Sequence, residues 1–305
     1  MMRFLAVRVM SALLVMMGVI TMVFLLIHAV PGDPVEVMLG ESATAADRAA
    51  LRAALGLDRP LGEQWLRYVT AVAHADLGTS LHSRRPIAEL VKQRAGATAT
   101  LGLAALTVSL SLGAPAGVLA ALRSGWQDRS VLVLSTVIVS VPSFWLAPML
   151  ILPFSIWLGW LPVSGREGAG ALVLPALTLG LGMAAVLARV VRAALLQVLT
   201  EDYLRTARAK GLPESDVVLA HALRNAALPV LTVLGLQLGA VLAGAVIIET
   251  IFQWPGLGSL TVEAIQRRDY PVAQACVLVI SLAYVAVNTV TDVACGALDP
   301  RVRLA

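Results

Sequence analysis

Charge is what this sequence has least of. Only 14% of its 305 residues are Asp, Glu, Lys or Arg, against 58% hydrophobic, and mean hydropathy is +0.83. A soluble domain averages roughly 25% charged residues, so a water-facing surface cannot be built from so few. The chain needs a solvent that accepts apolar side chains on its outside. Lysine is scarcer still: Lys92 and Lys210 are the only two, and the nucleotide-cradling pattern G-x-x-x-x-G-K-[ST] is absent. Two cysteines, Cys276 and Cys295, are too few for a disulfide framework and read as small apolar residues in or beside the last apolar run. His28, His74, His82 and His221 are scattered without metal-ligand spacing. No His, Cys or carboxylate set falls at catalytic spacing, which leaves a membrane enzyme without its constellation.

The charges that are present mark where lipid begins and ends. Between them lie six long charge-free runs, 9–32, 95–122, 130–165, 168–188, 225–248 and 270–291, of 24, 28, 36, 21, 24 and 22 residues. A hydrocarbon core of roughly 30 Å takes about 20 helical residues, and every run is long enough. The pattern predicts an all-α membrane protein with six transmembrane helices. Arg3 and Arg8 before the first run resemble a secretory signal, but the run is long and no A-x-A site closes it, so it reads as a retained span.

Orientation follows from the basic residues. With both termini cytoplasmic, the inside segments 1–8, 123–129, 189–224 and the tail after 298 hold 12 Lys and Arg against six acids. The outside segments hold 11 basic and 12 acidic residues, so the positive excess inside favours this orientation. The chain then divides into a cytoplasmic N-terminus and first span, 1–30, a periplasmic cap segment, 31–95, and a five-helix domain, 96–305, with a cytoplasmic loop at 195–225.

The outer segments carry pattern of their own. Leu51, Leu55, Trp65, Leu66, Tyr68 and Val69 among charged neighbours predict short amphipathic helices between Thr44 and Ala73, joined by the turn Leu57-Asp58-Arg59-Pro60-Leu61-Gly62. Such a cap could lie on the membrane surface. The uncharged stretch 250–262, with Phe252-Gln253-Trp254-Pro255-Gly256-Leu257-Gly258, is too short and too broken to span. Backbone of that kind must be buried in protein or line an aqueous cavity. It reads equally as a gate or as a structural corner, with Glu249 its anchor or cap.

One position inside a run and one at the edge of another stand out. Ser140-Val141-Pro142-Ser143 breaks the third run, and polar groups beside a proline kink either line a pore or merely pack. Asp292, costing about 2.5–3.5 kcal/mol at the centre of a membrane helix, lies near a run's end, where Asn288 one turn earlier could pair with it.

The most patterned segment is 189–224. Glu201 and Asp202 at the front and Lys210 at the back of Tyr203-Leu204-Arg205-Thr206-Ala207-Arg208-Ala209 oppose a helix macrodipole. Gly211 supplies a left-handed cap, Leu212 follows, and Pro213 blocks continuation. The small Ala207 and Ala209 would admit a close neighbour. A short rigid helix here is a mechanical handle; the alternative is a basic loop held at anionic headgroups.

Arg205-Thr206-Ala207-Arg208-Ala209-Lys210-Gly211, continuing to His221-Ala222-Leu223-Arg224-Asn225-Ala226-Ala227-Leu228-Pro229, resembles the EAA loop of bacterial ABC importer permeases. The dipeptide, oligopeptide and nickel branch is also resembled by Pro31-Gly32-Asp33-Pro34, by Leu55-Gly56-Leu57-Asp58-Arg59-Pro60-Leu61 and by Asp76-Leu77-Gly78-Thr79-Ser80. So it is by Glu249 to Gly258, Arg268-Asp269-Tyr270-Pro271 and Leu298-Asp299-Pro300-Arg301, in order along the chain. Arg205 stands where the general motif has an acid.

The resemblance implies a type I-like ABC importer permease fold in a bacterial inner membrane. It implies that Tyr203, Arg205, Thr206, Ala207, Arg208, Ala209, Lys210, Gly211, Leu212, Arg224 and Asn225 meet a cytoplasmic ATPase. It also implies a second permease, two ATPase subunits that carry the ATP and Mg, and a periplasmic or lipid-anchored binding protein. This chain would then hold no cofactor, bind no nucleic acid and catalyse nothing itself. Ser140, Pro142, Ser143, Glu249, Trp254, Pro255 and Gly256 are the candidates for path or gate. The cargo implied is a dipeptide or oligopeptide, with nickel or glutathione as alternatives in the same class. A secondary transporter fits the hydropathy too, but it would place ionisable residues near several span centres, and the runs are charge-free.

Overall fold

The computed structural model describes residues 2–29, 35, 44–54, 56–168 and 170–298. The Pro31–Pro34 and Asp299–Arg301 motif residues and Leu55 lie outside the described residues.

The first apolar run forms helix α1, Met2–Ala29. Two short helices follow where the amphipathic pattern places them, α2, Ala45–Ala54, and α3, Leu61–Ala73. Part of the apolar face of α3 packs on α1, while Leu61 and Leu66 remain more than half exposed. The Trp65 indole N–H donates to Thr21 Oγ1 at 3.1 Å, and the Tyr68 and Phe24 rings are 5.9 Å apart.

Helix α4, Ile87–Leu122, starts behind Pro86 and passes through Lys92 and Arg94 without interruption. The run's charge-defined edge at 95 therefore falls inside a helix. A single widened turn, Ser109–Gly113, interrupts it. The 36-residue third run departs from the expected single span. It is a pair, α5, Trp126–Ser140, and α6, Ser143–Trp157, whose axes differ by 102°. Pro142 is the cause. It has no N–H and drives Val141 into extended backbone at φ −88° and ψ 119°, so the helix must stop. Among the described residues, five helices are thus long and apolar enough to cross a membrane, and six crossings result when the bent pair counts as one.

Helix α7, Val173–Leu199, is followed by the short α8, Asp202–Ala209. The turn Glu214–Asp216 and the widened stretch Val217–Ala222 lead into α9, Leu223–Ile251. The last described elements are α10, Leu257–Gln266, and α11, Tyr270–Leu298. At 29 residues α9 is roughly 43 Å long, so α8 and α10 sit at opposite ends of the bundle.

Helix α7 is central and touches α4, α5, α6 and α9. Its contact with α4 is close because both helices are small there. A Cβ on Gly113 would lie 2.6 Å from the Ala184 carbonyl oxygen, and one on Gly117 2.5 Å from that of Ala188. Small residues four apart let membrane helices bring their backbones together. Large apolar side chains such as Leu14, Met22, Val133 and Leu134 instead point outward, each more than half exposed. Asp292 is paired, though not with Asn288. It meets Arg8 of α1 at 3.0 Å, which ties α1 to α11 and keeps the carboxylate from lying alone in an apolar setting.

Candidate functional sites at the two ends of the bundle

At one end, Glu201 adopts extended backbone after α7 and α8 begins. Leu204 and Ala207 are buried against Leu195, Val217 and Ala222, while Tyr203, Arg205, Thr206, Ala209 and Lys210 face outward. Ala207 therefore spends its small size on its own bundle and not on a neighbour's surface; Ala209 alone of the two is exposed. Asp202 in the first turn and Arg208 in the last suit the helix dipole.

The helix ends on Gly211 at φ +79°. The Gly211 N–H donates to the Arg208 carbonyl at 2.9 Å, and Leu212 N–H reaches back to Ala207 at 3.4 Å, closing a Schellman cap. Side chains also fasten α8 to residues 214–225. Arg208 grips Glu214 with two hydrogen bonds of 3.1 and 2.8 Å, which push its guanidinium further above the ordinary arginine value. Asn225 Nδ2 donates to the Tyr203 hydroxyl at 2.8 Å and to the His221 carbonyl at 3.0 Å. Arg224 is exposed, and Arg205 makes only a solvated pair with Asp202 at 3.4 Å. A fork from Arg192 to Asp128, 2.5 and 2.7 Å, joins α7 to the first turn of α5 at this same end. The sequence signal for it was two charges at the edges of different runs, and nothing paired them.

The opposite end is built around Glu249. Its side chain is fully buried, and both oxygens are used. Oε1 accepts from Thr98 Oγ1 at 2.6 Å, and Oε2 from the Ser259 N–H at 3.0 Å. The Thr98 hydroxyl in turn accepts from the Leu257 N–H at 2.8 Å, so one small network joins α4, α9 and α10. Gly256 and Gly258 are what allow it. A Cβ on Gly256 would run into the Glu249 carboxylate, and one on Gly258 would stand 2.5 Å from Val246 Cα.

Trp254 is buried in the turn with Pro255 beside it. Its indole N–H donates to the Ala97 carbonyl at 2.9 Å, and the Arg166 guanidinium lies over the ring at 5.8 Å. Most of the 250–262 stretch, Phe252, Trp254 and 256–261, is therefore buried in the protein with Glu249 bonded to it, while Thr250 and Gln253 stay exposed. A second buried carboxylate, Asp269, was not singled out by the sequence. It accepts from Ser80 Oγ at 2.6 Å and from the Leu81 and His82 N–H groups, each at 3.2 Å. The Asp76-to-Ser80 motif and the Arg268-to-Pro271 motif are thereby two halves of one clamp. Ser140 and Pro142 join neither network. Both are exposed at the α5–α6 break, Ser140 donating to Thr136 of its own helix, and Ser143 opens α6.

An all-helical bundle with an apolar exterior, polar groups gathered at its ends and a small helix displayed at one of them is a multi-pass membrane protein. Residues 113–304 match the family described as binding-protein-dependent transport system inner membrane component, and residues 1–102 match the corresponding N-terminal membrane-component family. The chain is 43% identical over 297 residues, 97% of each protein, to the glutathione transport system permease protein GsiC of Salmonella paratyphi A. To the proteins of the same name from Escherichia coli strain K12 and Shigella dysenteriae serotype 1 it is 44% identical over 283 residues, 92% of each chain. The chain belongs to this family of inner-membrane permeases of ABC importers.

Proposed function

We propose that this chain forms, with a second permease, the membrane path of an importer for glutathione and closely related small peptides, driven through α8 by separate ATPase subunits. The observation that carries the coupling role is the two-sidedness of α8. Leu204 and Ala207 fix it to the bundle, and Tyr203, Arg205, Thr206, Ala209 and Lys210 remain free to meet a partner. A helix rooted in the ends of α7 and α9 moves those helices when it is pushed, which is how an interface can switch a bundle between two packings. ATP and Mg belong to the partner, and this chain contributes no catalytic group. Both termini and α8 lie in the cytoplasm, and the Glu249 end faces outward to receive cargo from a periplasmic or lipid-anchored binding protein. Glutathione is favoured as cargo over longer peptides or nickel by the names of the similar permeases.

The test is a tagged chain expressed with its neighbouring transport subunits. An ATPase subunit is expected to co-purify, and a cysteine at Tyr203 is expected to be shielded from impermeant thiol reagents added outside intact cells. Labelling of that cysteine from outside sinks the orientation, and glutathione uptake indistinguishable from a strain lacking the chain sinks the cargo.

A further inference from the structure

Beside the Glu249 network the surface opens into a cleft of about 290 Å³. Glu249 lies at its wall with both oxygens committed to Thr98 and Ser259. Besides the hydroxyls of Thr250 and Ser259, four longer polar side chains line it from three elements: Arg94 from α4, Glu263 and Gln266 from α10, and Gln253 from the turn between α9 and α10. Arg94 and Glu263 are the notable pair. Their closest atoms, Nη2 and Oε2, are 3.7 Å apart, with the side chains 30% and 43% exposed. At that distance charges attract but no hydrogen bond forms. The Arg94 guanidinium has five N–H donors, and no hydrogen bond among the described residues uses them. The backbone holding Gln253 at the cleft is left-handed, with φ +51° on a residue other than glycine, a conformation that persists only where surroundings impose it.

We propose that this cleft is a binding subsite for an α-amino-acid head, an ammonium and a carboxylate on one carbon. Arg94 takes the carboxylate in a forked pair and Glu263 takes the ammonium. Opposite charges this close fit a ligand whose own charges are equally close. Splitting the pair forfeits no hydrogen bond, and the forked arginine–carboxylate contact that replaces it is both stronger and directional. An ordinary α-linked peptide does not fit as well. Its ammonium and carboxylate sit on different residues, whose Cα atoms are at least roughly 3.8 Å apart, and they point away from each other. A γ-linked glutamyl peptide keeps an intact amino-acid head at one end, and glutathione is such a peptide. Gln253 and Gln266 then supply neutral donors and acceptors for the remaining amides. The volume stands at the lower limit of small-molecule sites, about 300 Å³, which suits a head group with a short chain trailing out. The inference rests on the glutathione reading of the cargo and adds to it the residues that read the cargo's chemistry.

The test uses the complete permease–ATPase complex in lipid nanodiscs without the binding protein, with tritiated glutathione as probe. Saturable binding is expected, with at least a tenfold weaker affinity in Arg94→Gln and in Glu263→Gln; unchanged co-elution with the ATPase subunits confirms that each variant has folded. N-acetylglutathione, which lacks the ammonium, is expected to compete at least tenfold less well than glutathione on the original chain and equally well on Glu263→Gln. Glycylglycine is expected to compete weakly on all three. Uptake of glutathione by the full transporter without saturable binding to the complex, or binding undiminished in both variants, overturns the subsite and leaves the cargo reading standing. No glutathione uptake by the full transporter overturns both.

Discussion

The two ends of this bundle stop their helices in the same way and hold them in different ones. At the α8 end the terminating residue is Gly211, φ +79°, with no heavy atom within 4 Å of where a Cβ would be. At the Glu249 end α9 and α10 stop on left-handed Gln253 at φ +51° and Arg268 at φ +55°, neither a glycine. Both close the same cap, Trp254 N–H to the Glu249 carbonyl at 2.8 Å and Asp269 N–H to that of Ala264 at 2.8 Å. Side chains can stand there because the next residue is locked by distant partners, Trp254 on Ala97 and Asp269 on Ser80. Tertiary contacts override a local preference when they are strong enough. Helix α8 is rooted by two buried residues and by the Arg208–Glu214 and Tyr203–Asn225 contacts, and no such lock follows its glycine, so local chemistry ends it. One end is interlocked across the sequence, while the other is a lever with a narrow root.

The comparison breaks first at Glu249. Glu249→Ala leaves the Thr98 hydroxyl and the Ser259 N–H without their acceptor in a buried place. The expected cost is about 2–5 kcal/mol, read as a lowered melting temperature of the purified protein in detergent. Glu249→Gln, which keeps one acceptor oxygen, is expected to lose less. An unchanged melting temperature for the alanine variant means that this end is not held by the network. Asp269→Ala comes next, with three accepted hydrogen bonds lost and about 2–4 kcal/mol expected. Trypsin should then cut faster after the exposed Arg84 of the released arm, and equal cleavage rates would show that Asp269 does not hold it.

Gly211→Val probes the lever. The left-handed backbone costs an L-residue about 1–2 kcal/mol, more for a β-branched one, and no clash adds to it because the position is open. The chain should stay folded and in the membrane while uptake falls at least tenfold and ATP hydrolysis by the partner continues. Full uptake by this variant would remove the coupling role from α8.

How far the sequence reveals all this depends on whether a signal is local. Charge-free runs exposed the apolar helices because lipid acts on every residue of a span, and Gly211-Leu212-Pro213 marked the end of α8 because capping is local chemistry. The break at Pro142 was visible too, but not its 102° angle, which depends on how α6 packs against α7 and α9. The inward turn of Ala207 was hidden for a similar reason, since an alanine suits a crowded neighbour on either side of a helix. Long-range partners left the least trace. Thr98 and Glu249 are 151 residues apart, and Ser80 and Asp269 189, and a lone Thr or Ser in a sequence says nothing about which carboxylate it will meet. The amphipathic pattern around Tyr68 announced α3 but not that α1 would be the surface it covers.

Tyr68 is the smallest and sharpest test of the interlocked end. Its hydroxyl is buried between α3 and its neighbours and, unlike the Glu249 and Asp269 carboxylates, has no hydrogen-bond partner among the described residues. Burial pushes the phenol from its ordinary 10.0 up to about 12, because the ionised form would lose its water. A raised acid pKa means the folded protein holds that proton longer than the unfolded chain does. The stability tied to it is therefore complete below about pH 10 and is lost as pH climbs from there toward 12. Tyr68→Phe removes a hydroxyl that gains nothing in the fold, so stability at neutral pH should hold or rise by about 1 kcal/mol, and the alkaline decline should become shallower. A fall in melting temperature at neutral pH would mean that the hydroxyl has a partner in the assembled importer, which would extend the interlocked end to a surface shared with another subunit.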